Sequence, residues 1–98
     1  MAYTLSLRPE AEADLSASYA YYEDCRRGLG DDFLLCVEET FERMARSPRQ
    51  CPAVHPEVRR ALVHRFPYGI FYVLVETKVI VIAVLDAARD PQPWRSRI

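Results

Sequence analysis

The stretch Arg65-Phe-Pro-Tyr-Gly-Ile-Phe-Tyr72 and the run Val79-Ile-Val-Ile-Ala-Val-Leu85 decide the fold. Pro67 and Gly69 mark a turn, after which Ile70, Phe71, Tyr72, Val73 and Val75 read as an extended segment. The second run is rich in β-branched residues and carries no charge. Only Glu76-Thr77-Lys78 separates the two, so they read as a β-hairpin. A strand apolar on both faces must be covered, which places this hairpin at the centre of a sheet with helices laid over it. Arg89 and Trp94 follow the second strand and put a cation and a large ring near the sheet's end.

Working back from the hairpin, Tyr3-Thr-Leu-Ser-Leu7 alternates apolar and polar residues and reads as a short strand. Arg8-Pro9 ends it, because proline lacks the donor a ladder needs. Pro9 suits the first turn of a helix, and Glu10, Glu12 and Asp14 place negative charge at that helix's positive end. Ala11, Leu15, Tyr22 and Cys25 lie on one helical face, with Ser18 as a polar interruption. Helix one is expected from Pro9 to Arg27, with Gly28 as a left-handed cap. Gly30-Asp31-Asp32 restarts the pattern, and Phe33, Val37, Phe41 and Met44 recur at helical spacing until Ser47-Pro48. The short link between the helices favours an antiparallel pair.

From Pro48 to Pro56 there are three prolines and no periodicity, so an extended loop is expected, followed by a strand from Arg59 to Arg65. After Asp86, Pro91 and Pro93 exclude a long helix. The expected order is β-α-α-β-β-β. This is one α+β domain over residues 1–98, a helical hairpin packed on a mostly antiparallel sheet.

Composition narrows the function classes. Half the residues are hydrophobic and 28% are charged, as in ordinary globular domains. Twelve of the thirteen cations are arginine, and only Lys78 is lysine. Arginine suits planar contact with phosphate or carboxylate, although codon bias in a GC-rich genome yields the same count. Cys25, Cys36 and Cys51 form no C-x-x-C pair, which argues against a zinc site and a disulfide framework. No apolar run spans a bilayer and no signal peptide is visible, so a cytoplasmic location without metal or cofactor is expected.

The order of elements, together with Arg65-Phe-Pro-Tyr-Gly-Ile-Phe-Tyr72, Leu7-Arg8-Pro9-Glu10-Ala11-Glu12-Ala13-Asp14-Leu15 and Val84-Leu85-Asp86-Ala87-Ala88-Arg89-Asp90-Pro91 through Trp94, resembles the RelE/ParE superfamily of type II toxins. The resemblance covers essentially the whole chain. It implies a toxin encoded beside a ParD-like antitoxin that neutralises it. RelE-like members cut messenger RNA on the ribosome, whereas ParE-like members poison DNA gyrase.

Cleaving RNA through its 2′-hydroxyl needs a proton acceptor, a proton donor and cations around the phosphate. The resemblance puts Gly69 where RelE-like members carry an arginine on the third strand. Arg59, Arg60 and Arg65 stand in the basic region, but arginine stays protonated and makes a poor base. Trp94 stands near the position of that branch's ring, and indole transfers no proton. His64 is the nearby side chain with a suitable pKa, and His55 sits in the proline-rich loop. Catalytic candidates are therefore Arg65, Arg89 and His64, none with a convincing proton-transfer partner. Asp86 reads as a local brace for Arg89.

The ParE-like reading asks only for a stable sheet and a binding rim, for which Arg65, Tyr68, Arg89 and Trp94 are the candidates. It involves no sequence-specific contact with nucleic acid. Ordinary packing of Tyr68, Tyr72 and Trp94 is the competing explanation of those rings. Tyr19, Tyr21 and Tyr22 give helix one more aromatic area than one buried stripe holds, so they are the candidates for an antitoxin surface. A RelE-like ribonuclease and an inactive antitoxin-binding protein remain the alternatives.

Overall fold

In the computed structural model, residues 3–86 are described. Strand β1 (Thr4–Leu7) leads into helix α1 (Pro9–Cys25), then helix α2 (Leu29–Arg46) and a 3-10 turn at Pro48–Gln50. Four strands follow: β2 (Ala53–His55), β3 (Val58–Leu62), β4 (Tyr68–Val75) and β5 (Lys78–Asp86). They form one five-stranded sheet in the order β1-β5-β4-β3-β2. β1 runs parallel to β5, and the remaining pairs are antiparallel. The apolar hairpin is indeed at the sheet's centre, and the α+β class holds.

Three expectations need correction. Helix one stops at Cys25 rather than Arg27: Arg26 is already extended, while Gly28 turns the chain at φ +89°. A side chain at Gly28 would strain this left-handed conformation. The Pro48–Pro56 stretch is more than a loop, since it carries the 3-10 turn and β2. β2 is three residues long and slips register against β3, so it leaves no periodic trace. The strand expected to reach Arg65 ends at Leu62. There the Val63 amide turns to the Tyr68 carbonyl at 2.9 Å, and Arg65 takes a left-handed φ of 72°.

Both helices cover one face of the sheet. Phe33, Val37 and Met44 of α2 and Ala11 of α1 are fully buried against Ala61, Ile70, Tyr72, Val79, Val81 and Val84. Cys25 is exposed instead of extending that face, because α1 ends there. The helix pair is tied at its turn. The Glu23 carboxylate accepts from the Gly28 and Gly30 amides, and the Tyr19 hydroxyl donates to Asp31 Oδ1 at 3.0 Å.

Tyr72 locks the 3-10 turn to the sheet: its ring is fully buried and its hydroxyl donates to the Pro48 carbonyl. Burial, with Cys51 beside it, raises the Tyr72 phenol pKa strongly. Arg59 ties down the same turn by donating to the carbonyls of Arg49 and Cys51. Tyr72→Phe is expected to lower the unfolding free energy by about 1–3 kcal/mol, because it strands a buried carbonyl. Urea denaturation of both forms measures this, and equal midpoints would show that the bond contributes nothing.

Candidate functional site

β5 has nine residues and β1 only four, and their register ends at Leu7 opposite Val81. Beyond that point α1 replaces the missing strand: the Val84 amide donates to Asp14 Oδ2 at 3.1 Å. The helix and the end of the sheet diverge from there and leave a cleft of about 560 Å³. Asp14, Ala17, Ser18, Tyr21 and Tyr22 form the helical wall. Their spacing of three or four residues puts them on one face. Pro67, Tyr68, Val84, Leu85 and Asp86 form the other wall, where Tyr68 and Asp86 are direct cross-strand partners.

The floor of the cleft is aromatic. Tyr22 meets Phe33, Phe66 and Tyr68 with ring centroids 5.0–5.8 Å apart, so it belongs partly to the core. Tyr21 stands at the mouth, 62% exposed and edge-on to Tyr22. Tyr19 points away to Asp31, and that hydrogen bond is the first cause of its raised pKa. Tyr21 and Tyr22, expected on an antitoxin surface, thus share one cleft with Tyr68, expected on a target surface. Asp14 was read from sequence only as charge near a helix start. The signal for its site role was its i, i+4, i+8 spacing with Ser18 and Tyr22.

The cationic candidates are dispersed. His64 lines a separate depression of about 330 Å³ with Glu39, Thr40, Glu42, Arg43 and Arg46. Arg65 is exposed on the turn before β4. Arg59 is occupied by carbonyls, as described above. Arg60 lies along the opposite sheet face, and a Cβ at residue 69 would sit 3.0 Å from its Cδ. Glycine at 69 therefore makes room for the Arg60 stem. Arg89 and Trp94 lie outside the described residues, as does the expected Asp86–Arg89 brace.

The chemistry of the cleft follows from its lining. Two carboxylates and three phenols can accept a cationic or aromatic group, while a phosphodiester would meet like charge. Among the described residues no cluster of three or more His, Cys, Asp or Glu could hold a metal ion. No helix among them is long and apolar enough to cross a membrane.

The family model for the ParE toxin of the type II toxin–antitoxin system parDE matches residues 5–91. The chain belongs to the ParE toxin family. No curated protein sequence matches it. Three solved structures share the fold. A chain of the chromosomal ParDE system from P. aeruginosa is 19% identical with a TM-score of 0.74, covering 84% of this chain and 92% of that one. A double arginine-to-alanine mutant of E. coli toxin RelE in the free state is 20% identical with a TM-score of 0.70, covering 99% and 94%. The RelBE2 toxin–antitoxin complex from Mycobacterium tuberculosis gives 20% identity and a TM-score of 0.64, covering 86% and 96%. This ParE-family chain is thus a type II toxin by family, with its helical hairpin and cleft built on the shared scaffold.

Tyr22 provides a pH readout of the cleft. Burial first, then the neighbouring Tyr68 and Asp86, push its phenol from near 10 to about 12. The folded chain holds this proton while the unfolded chain releases it near pH 10, so stability is full below 10 and falls as pH rises towards about 12. Tyr72 adds to the same trend. Tyr22→Phe is expected to flatten the alkaline decline in denaturation midpoint, and an unchanged pH slope would place Tyr22 in an open, solvated setting.

Proposed function

We propose that the protein is the growth-inhibiting toxin of a ParDE-like pair that acts on DNA gyrase and is neutralised by a ParD-like antitoxin encoded beside it. The observation that supports this reading is the dispersal, among the described residues, of the proton-transfer and cationic groups. His64 is on another depression, Arg59 is bound to carbonyls and Gly69 is filled over by Arg60. A ribonuclease needs those groups around one phosphate, whereas binding a large target requires only a rim. The described part of that rim is Arg65 and Tyr68; Arg89 and Trp94 are its remaining candidates from the sequence. The antitoxin surface is on α1, with Tyr19 at the hairpin turn and Tyr21 and Tyr22 at the cleft. A ParD-like C-terminal segment, helical and amphipathic, suits such a surface.

Induced expression in bacterial cells, with purified toxin added to a gyrase supercoiling assay, tests the target. Filamentation, a DNA-damage response and loss of supercoiling are expected. Arrest of translation with cut transcripts would identify a ribonuclease, and normal growth would identify an inactive partner protein. Arg89→Ala is expected to relieve toxicity, and full toxicity in that variant removes Arg89 from the rim.

The antitoxin surface has its own test. Tyr19→Glu combined with Tyr21→Glu is expected to weaken co-purification with the adjacent small protein by at least tenfold, about 1.4 kcal/mol. Undiminished retention at matched expression would move the antitoxin contact elsewhere.

A further inference from the structure

The second depression, of about 330 Å³, lies away from the tyrosine cleft and is lined by Glu39, Thr40, Glu42, Arg43, Arg46 and His64. Two parts of the chain build it, the last turns of α2 and the turn that follows β3. Arg43 Nη2 donates to the Leu62 carbonyl at 3.0 Å, which ties the end of α2 to the end of β3. His64, two residues past Leu62, thereby joins the arginines in one lining.

The cations extend beyond the depression. Arg65 follows His64 directly, and Arg49 stands on the 3-10 turn that continues α2. Arg43, Arg46, Arg49, His64 and Arg65 are all exposed. Cations on the last turn of a helix complement the negative end of its dipole. That accounts for Arg43 and Arg46, but not for Arg49, His64 and Arg65, which belong to other elements. Nor do ion pairs account for the arginines of α2. Glu39 and Glu42 precede Arg43 and Arg46 by four residues, the spacing at which helical pairs close. Among the described residues, neither glutamate lies within ion-pair distance of its arginine. Arg43 gives one N–H to the Leu62 carbonyl, and a guanidinium has five, so most of its fork remains.

Four arginines, linked through one depression and without carboxylate partners, fit an occupant that presents a row of anions. A nucleic-acid backbone presents such a row, and the planar guanidinium takes phosphate oxygens two at a time. We propose that this patch holds the phosphate backbone of duplex DNA without reading its sequence. Arg43, Arg46 and His64 form its centre, and Arg49 and Arg65 flank it. Glu39 and Glu42, one turn back on α2, repel phosphate and bound the patch on that side. The choice of duplex DNA rests on the gyrase reading, because an enzyme that supercoils DNA brings duplex to any protein docked on it. Arg65 belongs to the target rim as well, so patch and rim are continuous.

Titrating the full chain into a labelled mixed-sequence duplex between about 50 and 200 mM salt, followed by fluorescence anisotropy, tests this. Binding is expected to be equal for unrelated sequences and to weaken with salt at a log–log slope of about −3.6 for four phosphate contacts. Arg46→Gln combined with Arg49→Gln is expected to reduce that slope by about 1.8 and the low-salt affinity by at least tenfold. Glu39→Gln combined with Glu42→Gln is expected to tighten binding several-fold, a gain that a misfolded variant cannot imitate. Absence of binding at about 50 mM salt, or an unchanged slope in the arginine variant, would overturn the proposal. So would polyglutamate that competes better than duplex of equal charge, because an acidic protein would then be the occupant. No gyrase is present in this assay. DNA binding with these slopes beside undisturbed supercoiling would remove the gyrase target alone, whereas lost supercoiling without DNA binding would remove the patch alone.

Discussion

The mismatch between β5 and β1 governs how the site is built. A nine-residue central strand with a four-residue neighbour leaves backbone donors and acceptors that must find other partners. α1 meets that demand with one carboxylate, Asp14, aimed at the Val84 amide. The first helix is therefore held over the end of β5, and the gap between them becomes the cleft. Had β1 been as long as β5, the same space would have been filled by strand and the tyrosines would have faced solvent.

The aromatic floor depends on that placement. Tyr22 can touch Phe33, Phe66 and Tyr68 only because α1, α2 and the turn before β4 converge beneath the cleft. The edge-to-face pairs Tyr22–Phe66 and Tyr22–Tyr68 each add about 0.5–1.5 kcal/mol beyond area burial. Side chains already packed in this way have few rotamers left to freeze on binding. The mouth, with Tyr21 and the carboxylates, supplies the polar margin that gives a partner its orientation.

Much of this was legible from the residues. β4 and β5 announce themselves through β-branched density, and α2 through the fourfold spacing of Phe33, Val37 and Phe41. α1 was harder to read because its inner stripe includes Asp14 and Ser18. Those residues face a cleft and an open strand edge, not a full core. β2 was invisible: three residues between Pro52 and Pro56 become a strand only because β3 offers an edge. The link from Asp14 to Val84 spans 70 residues and leaves no local signature. Gly69 read as a missing arginine, but its meaning lies on the neighbouring strand, where Arg60 needs the room.

That exchange of side chain for space bears on the chemistry. Arg60 and Phe71 are cross-strand partners, so the arginine stem lies on the face turned away from the helices, together with Gly69. The cleft, by contrast, opens on the helical side, where Tyr68 and Asp86 point. The Arg60 stem and the cleft are thus on opposite faces of one sheet, whereas Arg59, the cross-strand partner of Tyr72, stays on the helical side. The sheet is thus a partition: the space that Gly69 opens serves the Arg60 stem on one side, while Tyr68 and Asp86 are left to wall the cleft on the other.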